Sequence, residues 1–539
     1  MNRLTIITLV FSLITLAAPG QVKEDAQKTV RQVVITVDSM MNAQWKVTAH
    51  MKTDDYDGAI GIKLRGNSSL GFNQKKYTLE LRDSLGKEIE APLLGMPAHS
   101  DWVLLAPYSD VSAVRDPLAF QLWRDMGHWA PRTQMVELTL NGDYRGIYIF
   151  TEAIKRGDQR VNISKLKKSD VAGRDVTGGY ILRIDTFNDD DATFPSKVPG
   201  IGEGNMMSQI IWSCIYPKKK KLQPEQLTYI EQFVDSVELT IQSDYFADPE
   251  RGYAHFIDVP SFVDYFIHTE LSLNADGYKR SAYFYKEKMH ADGTGGKLVA
   301  GPVWDYNLAY GNANFANANK IDAWCFEGAS NNPTPALWQR LLQDPAFRKA
   351  VKERYKALRK GVLSNKAINA YIDRHAQLLA PYLAHHFEKY PELLVSEEEK
   401  ERAPSPSPFG FPPMGGGGFP PMLGGGFPPM PGGFQMPDSI QQIPGGFPPM
   451  GGFPPMGEDF KMPEGFQMPD FGGFNAASMF AAYRVSSYDE EIQILKQWLA
   501  DRLSFLDRNI ERFDKDWLPR IQEPKEIKMP QFNGFPFMR

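Results

Sequence analysis

The chain has 539 residues, 42% hydrophobic and 23% charged, with a formal net charge of −5 at pH 7. That length supports a large core in more than one lobe, and the composition is that of a globular protein. The acidic balance excludes the electrostatic footprint of a nucleic-acid binder; the basic run Lys218–Lys221 reads as a solvated loop, with phosphate contact as the lesser alternative.

Residues 1–20 have the pattern of a secretory signal: Arg3, an uncharged apolar stretch from Leu4 to Ala18, then small residues at Ala17, Ala18 and Gly20. The stretch is short for a membrane span, and no later segment equals it without charge, so no transmembrane segment is expected after signal removal. No cysteine follows it for a lipid anchor, and the expected destination is secreted, periplasmic or cell-surface. The two cysteines, Cys214 and Cys325, could pair in such a compartment or remain free thiols.

Alternation predicts strands at 33–37, 60–64 and Tyr77–Leu81, where Tyr77, Leu79 and Leu81 share one face. A helix is predicted over Val114–Met126. Met135–Leu140 and Tyr144–Phe150 read as a hairpin turned by Asn141-Gly142, and Gly179–Ile184 as another strand. From Pro224 the period becomes helical, over Gln226–Ile241, Val259–Leu273 and Thr334–Lys360. A β-rich first half and helix-rich second half imply an α+β fold of two lobes with a cleft between them. Residues 403–475 repeat Phe-Pro-Pro-Met from Phe411, Phe419, Phe427, Phe447 and Phe453 among glycines, a composition that opposes helix and ladder and predicts disorder. A capped helix, from Ser487 or Asp489 to about Phe513, carries the stripe Ile492, Leu495, Leu499, Leu503, Leu506 and Ile510. It is expected to pack back on the main domain. The expected organisation is therefore a signal peptide at 1–20, a main domain at 30–402, a disordered insertion at 403–475, a returning helix at 476–515 and a tail at 516–539.

Leu271–Asn312 is the most informative stretch. Ser281–Lys288 and Lys297–Trp304 read as two arms of a hairpin around an Asp-Gly turn, with Asp276 and Asp305 at its ends. Because an antiparallel hairpin returns the chain to its start, two carboxylates 29 residues apart can sit side by side. Such a pair suits a divalent cation, or one metal ligand and one general base as in phosphoryl transfer; the plainer reading is two turn residues. No P-loop, ordinary kinase HRD or DFG string, HExxH, paired-cysteine zinc pattern or GxSxG is present.

Several motifs in one order resemble the CotH family of secreted atypical protein kinases. They include RGNSS at Arg65–Ser69, KKYTLEL at Lys75–Leu81, VRDPLAFQLWRDMG at Val114–Gly127 and TGGYILRID at Thr177–Asp185. FVDYFIHTELSLNADGY at Phe262–Tyr278 and GPVWDYNLAYGN at Gly301–Asn312 follow. The resemblance implies a kinase-like fold that uses ATP and Mg²⁺ or Mn²⁺ on a protein substrate at the cell surface or in the periplasm. It makes Asp276 the catalytic-loop aspartate and Asp305 the metal ligand, with Asn307 adding an oxygen or only capping a turn. Asn274 is a weaker candidate of the same kind. It favours Lys75 over Lys76 as the phosphate lysine, since strand alternation lets only one of the two face the cleft. Arg65 is a second cation. Glu152 would pair with the lysine or be a surface carboxylate, and Trp304 would line the nucleotide pocket or belong to the core. Arg115 is a weaker candidate for the same cleft. Two other readings stay open: a non-catalytic structural or adhesive surface protein, and transfer of adenylate in place of phosphate.

Overall fold

In the N-terminal third, apolar residues alternate with polar ones along short strands, so each strand has one face to bury; curling the sheet shut buries all of those faces together. The computed structural model describes residues 28–186, 191–202, 207–329, 332–402 and 481–513. In it β1 (Arg31–Thr36), β2 (Val47–Lys52), β3 (Asp57–Arg65), β4 (Lys76–Leu81), β7 (Asp101–Leu105), β8 (Thr133–Leu140) and β9 (Asp143–Glu152) form a closed barrel in the order β1-β2-β3-β4-β7-β9-β8. Closure is the parallel pairing of β8 with β1; the other contacts are antiparallel. A small hairpin, β5 (Ala91–Leu93) and β6 (Met96–His99), is inserted before β7. Val33, Ile35, Ile60, Ile62, Tyr77, Leu79, Trp102, Tyr148 and Phe150 fill the barrel as one core. The predicted Asn141-Gly142 turn has φ of 51° and 79°, the left-handed pair of a type I′ hairpin.

The outer face of the barrel belongs to a second core. Val103, Leu105, Met135, Ile147 and Ile149 lie in one apolar cluster with Leu118, Phe120, Leu122 and Trp123 of α1 (Arg115–Asp125). That cluster continues into an antiparallel sheet of β10 (Tyr180–Ile184), β11 (Ala192–Pro195), β14 (Ile211–Tyr216), β15 (Ala282–Lys286) and β16 (Leu298–Ala300), ordered β11-β14-β10-β15-β16. A three-stranded patch of β12 (Gly200–Ile201), β13 (Met207–Ser208) and β17 (Thr334–Pro335) accompanies it. The helices are α2 (Pro224–Gln242), α3 (Tyr253–Phe256), α4 (Val259–Ser272), α5 (Leu337–Leu341), α6 (Pro345–Arg359), α7 (Asn365–Leu379), α8 (Leu383–Lys389), α9 (Glu397–Arg402) and α10 (Tyr488–Ile510).

β15 and β16 pair as the expected hairpin, with Phe284 opposite Ala300, but they extend a sheet begun by β10, β11 and β14. The helix expected over Thr334–Lys360 is divided into β17, α5 and α6, because Pro345 cannot continue a helix and Asp344 caps the next one, accepting from Ala346 N at 2.8 Å. α10 begins at Ser487, whose hydroxyl accepts from Glu490 N at 3.2 Å. Its stripe Ile492, Leu495, Leu499, Leu503, Leu506 and Ile510 is buried in the same core as α1 and α4. Residues on both sides of the Pro/Gly-rich stretch thus share one compact unit. The signal-like segment, the 403–475 stretch and the tail lie outside the described residues. No described helix is long and apolar enough to cross a membrane. Cys214 and Cys325 are free thiols.

Candidate active site

Strand register decides which cations meet the hairpin. Arg65 of β3 stands opposite Lys76 of β4. Ile60, Ile62, Tyr77 and Leu79 point into the barrel, so the period of two turns both Arg65 and Lys76 outward on the same side. Lys76 Nζ lies 3.7 Å from Asp305 Oδ1. The Arg65 guanidinium sits over the Trp304 ring, 5.2 Å from its centroid, and Phe120 of α1 stacks with the same indole at 5.7 Å.

The hairpin brings its two ends together, as the turn signal and the antiparallel return suggested. Asn274 links them: its Oδ1 accepts from Asp276 N at 3.2 Å and its Nδ2 donates to the Asp305 carbonyl, also at 3.2 Å. Asp276 is half-buried, and Asp305 is 35% exposed at its side chain. Burial raises the Asp276 carboxyl above its ordinary range, opposed by Arg280 and reinforced by the negative charges of Asp305 and Asp185. Arg280 Nη1 is 3.7 Å from Asp276 Oδ1. Asp185 closes β10 and accepts from Ser281 Oγ at 3.4 Å; its carboxyl is also raised, by burial first and by Asp305. Asp116, in the first turn of α1, accepts from Tyr306 N at 2.5 Å. Burial and the adjacent Asp305 push its carboxyl up to about 7 against the pull of Lys76. Asp305 itself has φ of 66°, and Leu273, Tyr278, Ser281 and Tyr310 are also left-handed. Strained non-glycine backbone therefore gathers at this point of the fold, as it does where geometry serves a site.

Three acids, Asp116, Asp276 and Asp185, thus have Asp305 as an electrostatic neighbour, with Lys76, Arg65 and Arg280 beside them. The CotH kinase protein family matches residues 62–404, more than half of the chain. The chain belongs to that family. No curated protein matches it.

Family membership implies use of a nucleotide and a divalent metal in general terms. The donor set here is compatible with that: Asp305 and Asp276 offer carboxylate oxygens, and Asn307 an amide oxygen, all hard ligands of the Mg²⁺ kind. Asn307 Nδ2 donates to Ser109 Oγ at 2.6 Å, which leaves Oδ1 as the atom a cation would use. Among the described residues no three His, Cys, Asp or Glu side chains form a metal cage. The protein part of such a site is then one or two carboxylates, with water and phosphate oxygens as the remaining ligands, the usual arrangement for Mg²⁺.

Two expected site residues of this CotH-family chain have other partners. Lys75 does not face Asp305: its Nζ donates to the Leu70 carbonyl at 2.7 Å. It lies just before β4 and is partly buried, and Lys76 takes the outward place beside Asp305. Glu152 does not pair with a lysine. It follows Tyr148 and Phe150 on the inward face, opposite Trp102, and is buried against Arg132 at 3.0 Å and Arg160 at 3.7 Å. Trp304 is buried, a shared platform for Arg65 and Phe120. Arg115 is fully buried and structural, paired with Asp110 at 2.5 Å and Glu491 at 2.6 Å. Asp116, Asp185 and Arg280 are additional neighbours of the site. Asp116 had a sequence signal, an acid in the first turn before an apolar helix; Asp185 and Arg280 are identified only by sheet pairing and loop geometry.

Proposed function

We propose that this chain is an exported phosphotransferase that moves the γ-phosphoryl group of ATP to a hydroxyl side chain of a surface or periplasmic protein. A site of this kind needs a metal-holding carboxylate, a cation on the phosphates and a second carboxylate at the acceptor. Asp305, with Asn307, would hold Mg²⁺ or Mn²⁺, which neutralises phosphate charge when bound. Lys76 and Arg65 bind and orient the phosphates from the barrel side. Asp276 accepts the proton of the incoming hydroxyl as its oxygen bonds to the γ-phosphorus. The bond from that phosphorus to the bridging oxygen breaks, and ADP leaves with the electron pair. An elevated Asp276 carboxyl is better matched to that proton than an ordinary aspartate. Export rests on the pattern of residues 1–20.

The observation that carries this reading is the Asn274 bridge between the backbones of Asp276 and Asp305, with Lys76 facing Asp305. The experiment is incorporation of labelled γ-phosphate by the purified protein with Mg²⁺ or Mn²⁺. It is expected in the unaltered chain and lost in Asp305→Ala with folding retained. No incorporation into any acceptor, together with no nucleotide-dependent thermal shift, would refute it. Label retained from the α-phosphate would point to adenylate transfer instead.

A further inference from the structure

α10 is separated from the rest of the domain by the long Pro/Gly-rich stretch, yet it carries two buried charges that end on the two halves of the site. Glu491 and Arg502 are 11 residues apart, about three helical turns, and so share a face. Both are buried, Arg502 completely.

Glu491 Oε1 accepts from Arg115 Nη1 at 2.6 Å and from Tyr483 OH at 3.1 Å. Arg115 also donates through Nε to the Ala309 carbonyl at 3.1 Å, four residues past Asp305. Its chain neighbour Asp116 receives Tyr306 N, one residue past Asp305. The first charge of α10 thus shares with Asp110, which accepts from Arg115 N at 3.0 Å and from Nη1 at 2.5 Å, the holding of the helix start and of the loop that presents Asp305.

Arg502 acts on the other half. Its Nε and Nη2 donate to the Glu270 carbonyl at 2.9 and 2.5 Å, near the C-terminal end of α4. Its Nη1 donates to the carbonyls of Ile321 and Ala323, each at 2.6 Å. The guanidinium also faces the Glu270 carboxylate at 3.5 Å. That carboxylate accepts from Tyr278 OH at 2.9 Å, Cys325 N at 2.8 Å and Phe326 N at 2.9 Å. Tyr278 is two residues beyond Asp276 and has φ of 67°. Between its two charges, the helix presses the Trp498 indole over Gly311, where an added Cβ would come within 2.5 Å of the ring.

We propose that α10 is a clamp on the reactive geometry, with Glu491 and Arg502 as positioning residues: Glu491 sets Asp305 through Arg115, and Arg502 sets Asp276 through Glu270 and Tyr278. The catalytic consequence rests on the phosphotransferase reading above; the clamping of the two loops does not. Neither residue touches substrate. Buried, multiply bonded charges that end on strained loops hold those loops in one arrangement, so altering a charge releases its own loop and leaves distant strands as they were.

The test uses the full chain with Glu491→Gln, which keeps size, Arg502→Lys, which keeps the charge, and Arg502→Gln as the stronger change. Amide exchange is read by mass spectrometry over 273–281, 305–312 and the barrel strands 31–65, alongside phosphate transfer to casein. We expect Arg502→Gln to speed exchange in 273–281 by about tenfold or more. Glu491→Gln should do the same, more weakly, in 305–312. Barrel protection should stay unchanged in both, and Arg502→Lys, which keeps the charge beside Glu270, should recover part of the lost protection. kcat should fall in parallel, with KM for ATP within about twofold. Unchanged exchange in both loops, or an equal rise in the barrel, would overturn the proposal. If the unaltered chain transfers phosphate to no acceptor and shows no nucleotide-dependent thermal shift, the phosphotransferase reading fails while the exchange comparison still decides the clamp.

Discussion

Exchanging each of the two adjacent lysines tests the geometry most sharply. Lys76→Met removes a cation 3.7 Å from Asp305 Oδ1, at side-chain exposures of 10% and 35%. A pair at that distance interacts by about 4 kcal/mol at an effective dielectric near 20 and by about 1 kcal/mol in water. The exposure of Asp305 places the value between those limits, and desolvation brings the net effect on folding down to about 1 kcal/mol. The effect on reaction is larger, because the charge on transferring phosphate oxygens develops where the lysine is already held. Loss of one such preorganised donor costs about 3–4 kcal/mol, or roughly 10²–10³ in kcat. Lys75→Met removes only a hydrogen bond to the Leu70 carbonyl, worth about 1 kcal/mol of stability. Its phosphate transfer should stay within about threefold of the unaltered chain. The assay is steady-state incorporation of labelled phosphate at saturating Mg²⁺ and ATP, with thermal unfolding as the folding control. If Lys75→Met is the variant that loses transfer while Lys76→Met retains it, the register argument is wrong.

Other substitutions probe the same frame. Asp305→Gly removes the left-handed strain and the like charge beside Asp116 but also the Lys76 pair, so thermal unfolding should shift by no more than about 1 kcal/mol while transfer disappears. The Asp116 carboxyl, raised from an ordinary 3.8 to about 7, binds its proton more tightly folded than unfolded. Its contribution to stability is therefore full below about pH 4 and is lost as pH rises through about 7; Asp116→Asn should flatten the denaturation midpoint across that window. A midpoint slope unchanged from that of the unaltered chain would count against the raised carboxyl. Gly311→Ala sets a Cβ 2.5 Å from the Trp498 ring at a residue with φ of 81°. Unfolding should show a loss of about 2–4 kcal/mol, and tryptophan fluorescence a shift as the indole moves.

Reading from the sequence, the hairpin at 281–304 followed from its alternation and turn residues, and the bent return of the chain makes Asp276 and Asp305 neighbours for that reason alone. α10 was equally legible, since its stripe repeats at helical spacing and Ser487 has the chemistry of a cap. Local pattern fixes these features because they depend on residues a few positions apart. The family motif favours Lys75, whereas the strand register brings Lys76 to Asp305. Tyr77, Leu79 and Leu81 are apolar and claim the interior, which turns Lys76 outward. Glu152 is turned inward, opposite Trp102, where Arg132 and Arg160 hold it.

The chain by itself determined part of the element order, the apolar faces of β4 and α10, and that two aspartates flank one hairpin. The tertiary structure alone decided that β8 closes on β1, that Asp116 and Asp185 come up against Asp305, and that Arg115 and Glu270 are held from α10. Those are meetings between residues tens to hundreds of positions apart, and no short-range period encodes them. They arise because a closed barrel, a sheet and a returning helix must each bury an apolar face, and burying all three faces brings these charges together.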